Sequence, residues 1–489
     1  MSFSKTGREN LRFFIPVIIA FSLITGFLLG ARFGTVLHID SFSSSSGMHP
    51  VNTLNEALGF LSSKYVEHLD RDSLAEEALK VWMGGLDPFS SYIKPKDLAW
   101  MNKRLSGSYV GIGIEFTINN DSILVLTVME DSPAAFADIR VGDYLIAAGK
   151  DLGTNKIQQT PEEIIDQIRG KVGSWVKVLI FRPSENKYVI LPCKRKDLDM
   201  PGVSPFINYN HSVAYIRIKE FNARTDQEFM VAMDSLFGKQ QGEKDLILDL
   251  RGNPGGYLEK STHLLNQLIS ESGKVMVTTR SKTGKETVYK TTGRPFFKPG
   301  KIVVLTDENT ASASEIVAGA LQDHKRAIIV GRPSFGKGLV QGQFNLSNGG
   351  ALKLTIAKFY TPSGKLIQKP YKKEDTTRTR GGINPDILIE YEDQDTQMIW
   401  QMASRRLLPF IIENKLTTQS GTFTSNHFLV SEFMKQNKLP EEFRHLVWQR
   451  LKVAYLKQTS GPDAAMRAEF EVDPFLKAAL TCLEKKGGK

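Results

Sequence analysis

At 489 residues with 41% hydrophobic content, the chain has room for roughly two to four domains and enough apolar material to build their cores. Its formal charge of +10 is scattered, without the clustered basic stripe interleaved with aromatics that tracks phosphates, so nucleic acid is excluded as the expected partner. Two distant cysteines, Cys193 and Cys482, exclude a disulfide framework; neither they nor the eight histidines form a pair at metal-ligand spacing, so no metal site is expected.

Residues 13–31, FFIPVIIAFSLITGFLLGA, carry no charge and are long enough to cross a hydrocarbon core as a helix. Lys5, Arg8 and Arg12 precede the run and only Arg32 follows closely, which leaves residues 1–12 as a cytoplasmic tail and exports the rest. The run exceeds a usual signal-peptide core and no clear A-x-A site follows, so an uncleaved anchor is expected over a cleaved signal. The linker 32–52 includes SFSSSSG, a small and polar tether.

A helical segment, 53–100, comes next. Leu54, Leu58, Leu61 and Tyr65 recur at helical spacing, Ser73 with Glu76 has the form of a capping box for a second helix through Met83, and GGLDPFSSYI is a turn-rich exit. From 105 to 196 the texture turns to short strands. SYVGIGIEF predicts a strand over 108–116 entered through a glycine-rich loop, and SILVLTV a second one. Thr160-Pro161 opens a helix over 161–169, while KVLIFR and KYVILP predict a hairpin. This stretch resembles a PDZ domain, whose carboxylate-binding loop would be Val110, Gly111, Ile112 and Gly113. The physics suits that role: glycines let backbone N–H groups converge on an anion, and the adjoining strand offers an edge to a peptide.

In residues 197–395, SVAYIRI, DLILDL, KIVVLT and AIIVG are apolar β-branched runs separated by helical stretches, which predicts an α/β domain with a largely parallel sheet. Beyond 396 the pattern is helical and basic; it either covers the core or docks a partner.

The chemistry concentrates in TASASEIVAG, residues 310–319. Ser312 and Glu315 have the spacing of a capping box, so the serines there could simply cap a helix. His324 is an obvious base for Ser312, but a helix joining them separates the pair by roughly 18 Å. The loop GRPSFGKGLVQ offers another base. Lys337 would emerge at the carboxyl end of the strand AIIVG, and a desolvated lysine gives up its proton near neutral pH. Gln341, four residues on along a strand, returns to the same face and can hold the amine. The loop also reads Gly331-x-x-x-x-Gly336-Lys337, a nucleotide-binding pattern, but Gly338 stands where a hydroxyl is needed and LVQGQF predicts a strand rather than a phosphate-binding helix. Upstream, LDLRGNPGG ends a buried strand in a glycine pair; the N–H groups of Gly255 or Gly256, with that of Ala313, could hold an oxyanion.

LDLRGNPGG, TASASEI, FGKGLVQ and the preceding PDZ-like module stand in the order found in carboxyl-terminal processing peptidases, the tail-specific proteases, a resemblance that runs from the GGLDPFSSYI segment to GGINPDI. It implies a Clp-protease and crotonase-like α/β core with an inserted PDZ domain, flanked by helical N- and C-terminal segments. It assigns Ser312 as nucleophile, Lys337 as general base and Gln341 as the residue orienting the lysine, with Glu315 in possible support and no cofactor. It implies protein or peptide substrates with exposed C-termini, and leaves a homo-oligomer or an adaptor open. Arg169, at the end of the groove helix, would couple an occupied groove to the site. The location implied is the bacterial cell envelope: a single-pass inner-membrane protein with its catalytic domain in the periplasm. A catalytically inactive PDZ scaffold and a Ser-His hydrolase are the alternatives. Gly252 and Phe89 depart from the family pattern, and neither is expected to touch the Ser312–Lys337 pair.

Overall fold

The computed structural model describes residues 50–119, 122–150, 152, 159–238, 244–371, 381–390, 403, 405–414 and 428–484. The expected anchor, 13–31, lies outside them, and among the described helices none is long and apolar enough to cross a membrane. The chain divides into two units, Met1–Ala75 and Glu76–Lys489.

The first unit contains α1 (Pro50–Lys64) and the opening of α2 (Arg71–Gly84). The predicted cap of α2 is displaced. Asp70 accepts the Asp72 N–H at 3.1 Å and the Ser73 hydroxyl at 2.7 Å, so the helix starts one turn's edge earlier and Ser73 lies inside it.

In the second unit β1 (Ser91–Ile93) and α3 (Pro95–Leu105) precede a β-rich module. Its elements are β2 (Ser108–Gly111), β3 (Ile114–Asn119), β4 (Ser122–Val128), α4 (Pro133–Phe136), β5 (Tyr144–Gly149), α5 (Pro161–Ile168), β6 (Trp175–Arg182), β7 (Lys187–Lys194) and β8 (Lys196–Asp199). Strands β3 to β7 form an antiparallel sheet in chain order, and β2 pairs with β8 as a separate ribbon. The strand predicted over 108–116 is therefore split. Gly113 has φ +87°, and a Cβ there would stand 2.3 Å from the Ser132 Cβ, so the chain turns where only glycine fits. The module has its own core, in which Ile164 and Ile168 of α5 meet Ile112 and Ile114.

The α/β part runs β9 (Val203–Asn208), β10 (Val213–Ile218), α6 (Thr225–Phe237), β11 (Asp245–Asp249), α7 (Leu258–Leu268), β12 (Val275–Ser281), β13 (Glu286–Lys290), β14 (Ile302–Thr306), α8 (Ala313–Asp323), β15 (Ala327–Gly331), β16 (Leu339–Asn345), β17 (Ala351–Tyr360) and β18 (Ile387–Leu388). Its main sheet has the order β18-β15-β14-β11-β10-β9, parallel throughout except for β9. A second, antiparallel sheet has the order β1-β17-β12-β13, with β16 also on β17.

Successive residues of the parallel strands face opposite layers, as the twofold side-chain alternation of a strand requires. Leu246, Leu248, Ile302 and Val304 meet the helices α6, α7 and α8, whereas Ile247, Val303 and Leu305 meet Phe470, Phe475, Leu476 and Leu483 of the C-terminal extension. Both faces had to be covered because both are apolar.

That extension comprises α9 (Leu407–Glu413), α10 (Phe428–Gln436), α11 (Arg444–Thr459), α12 (Gly461–Val472) and α13 (Pro474–Glu484). Of the two roles left open for it, the structure supplies the first: α12 and α13 complete the core. Helices α9 to α11 have a cluster of their own, joined to the β-rich module by the Tyr144 hydroxyl, which donates to Glu413 at 2.7 Å. Cys193 and Cys482 belong to different cores.

Candidate active site

The site grows from the carboxyl ends of β11, β14 and β15, where a parallel sheet leaves its loops free to converge. After β14 the chain enters α8 through the Thr310–Ser312 turn. The Thr310 hydroxyl donates to the Leu250 carbonyl at 2.9 Å and the Ser314 hydroxyl to the Asn253 carbonyl at 3.2 Å, and both side chains are fully buried. These two hold the turn against the end of β11. Ser312 remains partly exposed, with φ +57° and ψ −116°, a conformation a non-glycine residue rarely adopts.

Glu315 is fully buried, and its carboxylate organises the turn. One oxygen accepts the Ser334 hydroxyl at 2.5 Å and the Gly336 N–H at 2.7 Å; the other accepts the N–H groups of Ser312 and Lys337, both at 2.8 Å. The expected capping contact to Ser312 is thus one of four. Burial pushes the Glu315 proton affinity up, against the pull of those donors. A single oxygen thus holds the backbones of Ser312 and Lys337 side by side.

Lys337 leaves the β15–β16 loop with its amine donating to Gln341 Oε1 at 2.8 Å. Gln341 is in β16, which follows the lysine as a strand; the helix a nucleotide-binding loop needs is not what comes next. Burial lowers the lysine's proton affinity, the Lys353 ammonium adds to this, and Glu315 and Asp87 oppose it, leaving a pKa of about 8. At pH 7 roughly a tenth of such an amine is neutral.

The expectation that Phe89 stays clear of the pair is corrected. Its ring lies 5.1 Å from Lys337 Nζ, and its carbonyl accepts the Gln341 Nε2–H at 2.7 Å. Asp87 fixes this turn by accepting the N–H groups of Phe89 and Ser90, each at 2.8 Å. The GGLDPFSSYI segment, read as a turn-rich exit at the start of the family resemblance, therefore forms one wall of the lysine's environment. A carboxylate two residues before an aromatic in a turn was the signal available for it, but its target lies some 250 positions away (Phe89 O to Gln341). Gly252 keeps its distance: the nearest atom to a Cβ built there is an Arg217 nitrogen at 4.0 Å.

Gly255 lies directly beside Ser312, and Gly256 against Phe221. A Cβ on Gly255 would come within 2.6 Å of the Ser312 Cβ and 2.9 Å of the Ala313 nitrogen. The Gly255 N–H is already engaged, donating to Asn253 Oδ1 at 2.9 Å. Gly255 O and the Tyr257 N–H bond the two backbone groups of Phe221, so Gly256 between them points its own N–H the other way. Ala313 is the first residue of α8, and its N–H is among those the helix cannot satisfy itself. Of the three expected donors, Gly255 is thus already engaged by Asn253.

His324, considered as a base, and His263 are both engaged elsewhere. His324 ends α8 with Nε2 at 2.7 Å from the Val275 carbonyl, and His263 Nδ1 stands 2.9 Å from Asp226.

In the β-rich module, β3 is an edge strand. Val110 and Gly111 pair with Asp197 and Lys196, the Ile112 carbonyl accepts the Ala134 N–H at 2.8 Å, and the Gly113 carbonyl accepts the Met129 N–H at 3.0 Å. Thr160 caps α5 as expected and, in addition, closes a reciprocal box with Glu163. Arg169 caps its far end and lies over the Trp100 ring at 4.9 Å; the structure does not bring it to Ser312.

Peptidase family S41 is matched over residues 212–389. The chain is 34% identical over 330 residues to a carboxy-terminal-processing protease of Bartonella bacilliformis, covering 67% of this chain and 72% of that one. It is 32% identical to the carboxy-terminal processing protease CtpB of Bacillus subtilis over 70% of this chain and 68% of that one. To CtpA of the same organism it is also 32% identical, over 79% and 78%.

Proposed function

The chain belongs to peptidase family S41 with the carboxy-terminal processing proteases, serine-type hydrolases acting on proteins, and on that premise we propose that Ser312 and Lys337 are its catalytic dyad. The observation that carries this reading is the Glu315 carboxylate, which binds both backbones while burial lowers the proton affinity of the Lys337 amine.

Neutral Lys337 takes the Ser312 proton, and Ser312 Oγ attacks the scissile carbonyl carbon. Charge developing on the carbonyl oxygen is met by the N–H groups of Ala313 and Gly256, at the positive end of α8. The new ammonium gives its proton to the departing amine as the C–N bond breaks. Water, deprotonated by the same lysine, then hydrolyses the acyl-enzyme. Gln341 keeps the amine oriented throughout, and Glu315 fixes the backbone under both residues.

The β-rich module acts as a PDZ domain. A substrate's C-terminal carboxylate rests at the Val110–Gly113 loop, and its chain adds to the edge of β3 beside α5. Arg169 reports occupancy of the groove. The run 13–31 anchors the protein in the inner membrane, with catalysis in the periplasm.

Incubating the soluble fragment with unfolded proteins that end in apolar or charged residues, and mapping cuts by mass spectrometry, tests this. Ser312→Ala and Lys337→Ala should abolish cleavage while C-terminal peptides still bind. Near-normal cleavage by the Lys337 variant would overturn the dyad.

A further inference from the structure

We propose that Asp473 and Phe475, in the C-terminal extension, are positioning residues for proteolysis that hold the oxyanion loop and the Lys337 loop in register. The proposal rests on the Ser312–Lys337 reading and assigns a catalytic consequence to a segment outside the 212–389 match.

The two loops leave strands that do not touch. In the sheet order, β14 stands between β11, which leads to Arg251 and the Gly255–Gly256 turn, and β15, which leads to Arg332 and Lys337. At the site itself Glu315 and the Ala311–Asn253 bond already join them, and a second link lies outside the sheet. Asp473, between α12 and α13, divides its carboxylate for this purpose: Oδ1 accepts the Phe475 N–H at 2.8 Å and starts α13, while Oδ2 accepts Arg251 Nη1–H at 2.6 Å. Arg251 is also tied to the fully buried Asp249, which takes the Tyr215 hydroxyl at 2.8 Å.

Phe475 then spans the gap. The Arg251 guanidinium lies 4.9 Å from its ring centre and that of Arg332 lies 5.3 Å from it. Gly331 admits the ring, since a Cβ there would sit 3.1 Å from Phe475 Cε1. From Arg332 the path is short: Ser334, Gly336 and Lys337 all bond Glu315. From Arg251 it is equally short, because Asn253 accepts the N–H groups of Ala311 and Gly255, each at 2.9 Å. One ring thus supports, from the far side of the sheet, the spacing that Glu315 sets at the site, with both guanidinium groups over its face.

The full soluble chain is the object of the test, with kcat and KM for an unfolded protein substrate, the pH profile, and the rate at which a fluorophosphonate labels Ser312. Phe475→Leu keeps an apolar side chain but removes the aromatic face. It should lower kcat and the labelling rate about five- to tenfold and shift the pH profile at a temperature where the variant is fully folded, with KM near wild type and Tm lowered by the smaller core side chain. Phe475→Tyr should restore all three, and Asp473→Asn should lower kcat in the same direction. Wild-type kcat and profile in Phe475→Leu, equal impairment in Phe475→Tyr, or a loss that merely follows the unfolded fraction would each overturn the proposal. Ser312→Ala, run in parallel, separates the two readings: cleavage by that variant removes the dyad itself, whereas a dead Ser312→Ala beside a fully active Phe475→Leu removes only this inference.

Discussion

Lys337 and Gln341 are one hydrogen bond apart, Nζ to Oε1 at 2.8 Å, and one of the two amide hydrogens of the glutamine is donated to the Phe89 carbonyl. The amide is therefore locked with its oxygen toward the amine. Gln341→Ala should lower kcat by roughly tenfold or more with little change in KM, the scale of a hydrogen bond to a charged group. Gln341→Glu should act differently. A carboxylate there favours the ammonium, so the rise of activity should move to higher pH, which a pH series of kcat/KM reads directly.

In the parent protein that rise should be centred near pH 8. In the proposed mechanism neutral lysine is the reactive form, and it becomes half-populated as pH passes about 8. The profile should persist when His263 and His324 are replaced together, since neither reaches the site. A plateau already complete at pH 6 would contradict a lysine base.

The same burial carries a stability cost of known sign. A lysine whose folded pKa lies below its unfolded value destabilises the fold where both states are protonated, below about pH 8, and the cost vanishes above its ordinary pKa. Lys337→Met should therefore raise stability by on the order of 1 kcal/mol at pH 6 to 7, with a gain that shrinks toward alkaline pH. Denaturant melts at several pH values measure it.

Glu315→Gln keeps the shape but replaces one accepting oxygen by a donor facing two of the four groups now bonded there. Each buried donor left unpaired costs about 1–3 kcal/mol, so this single change should lower Tm and activity together. A thermal melt alongside single-turnover labelling of Ser312 checks it.

The two glycine substitutions separate position from conformation. Gly255→Ala forces a Cβ to 2.6 Å from that of Ser312 and should abolish cleavage. Gly252→Ala, at φ +71° with open space around it, should cost about 1–2 kcal/mol of stability and leave kcat intact. Assays of both against one substrate suffice.

What the sequence by itself determined is what neighbouring residues settle among themselves. The continuous apolar runs in DLILDL and KIVVLT dictated strands buried on both faces, and Thr160 before Pro161 dictated the start of α5, whose capping bonds close within one turn. Motif order placed Ser312, Lys337 and Gln341 in one family pattern. Even local rules misjudged α2, where Asp70 reaches the free N–H groups ahead of Ser73. Only the tertiary structure decided that Glu315 serves Ser334, Gly336 and Lys337 besides its own helix, that Gly255 spends its N–H on Asn253, that Phe89 walls in the lysine, and that the C-terminal helices cover the sheet's second face. Each of these joins residues far apart in the chain, and such pairings follow from how loops converge at the end of a sheet, which no local spacing encodes.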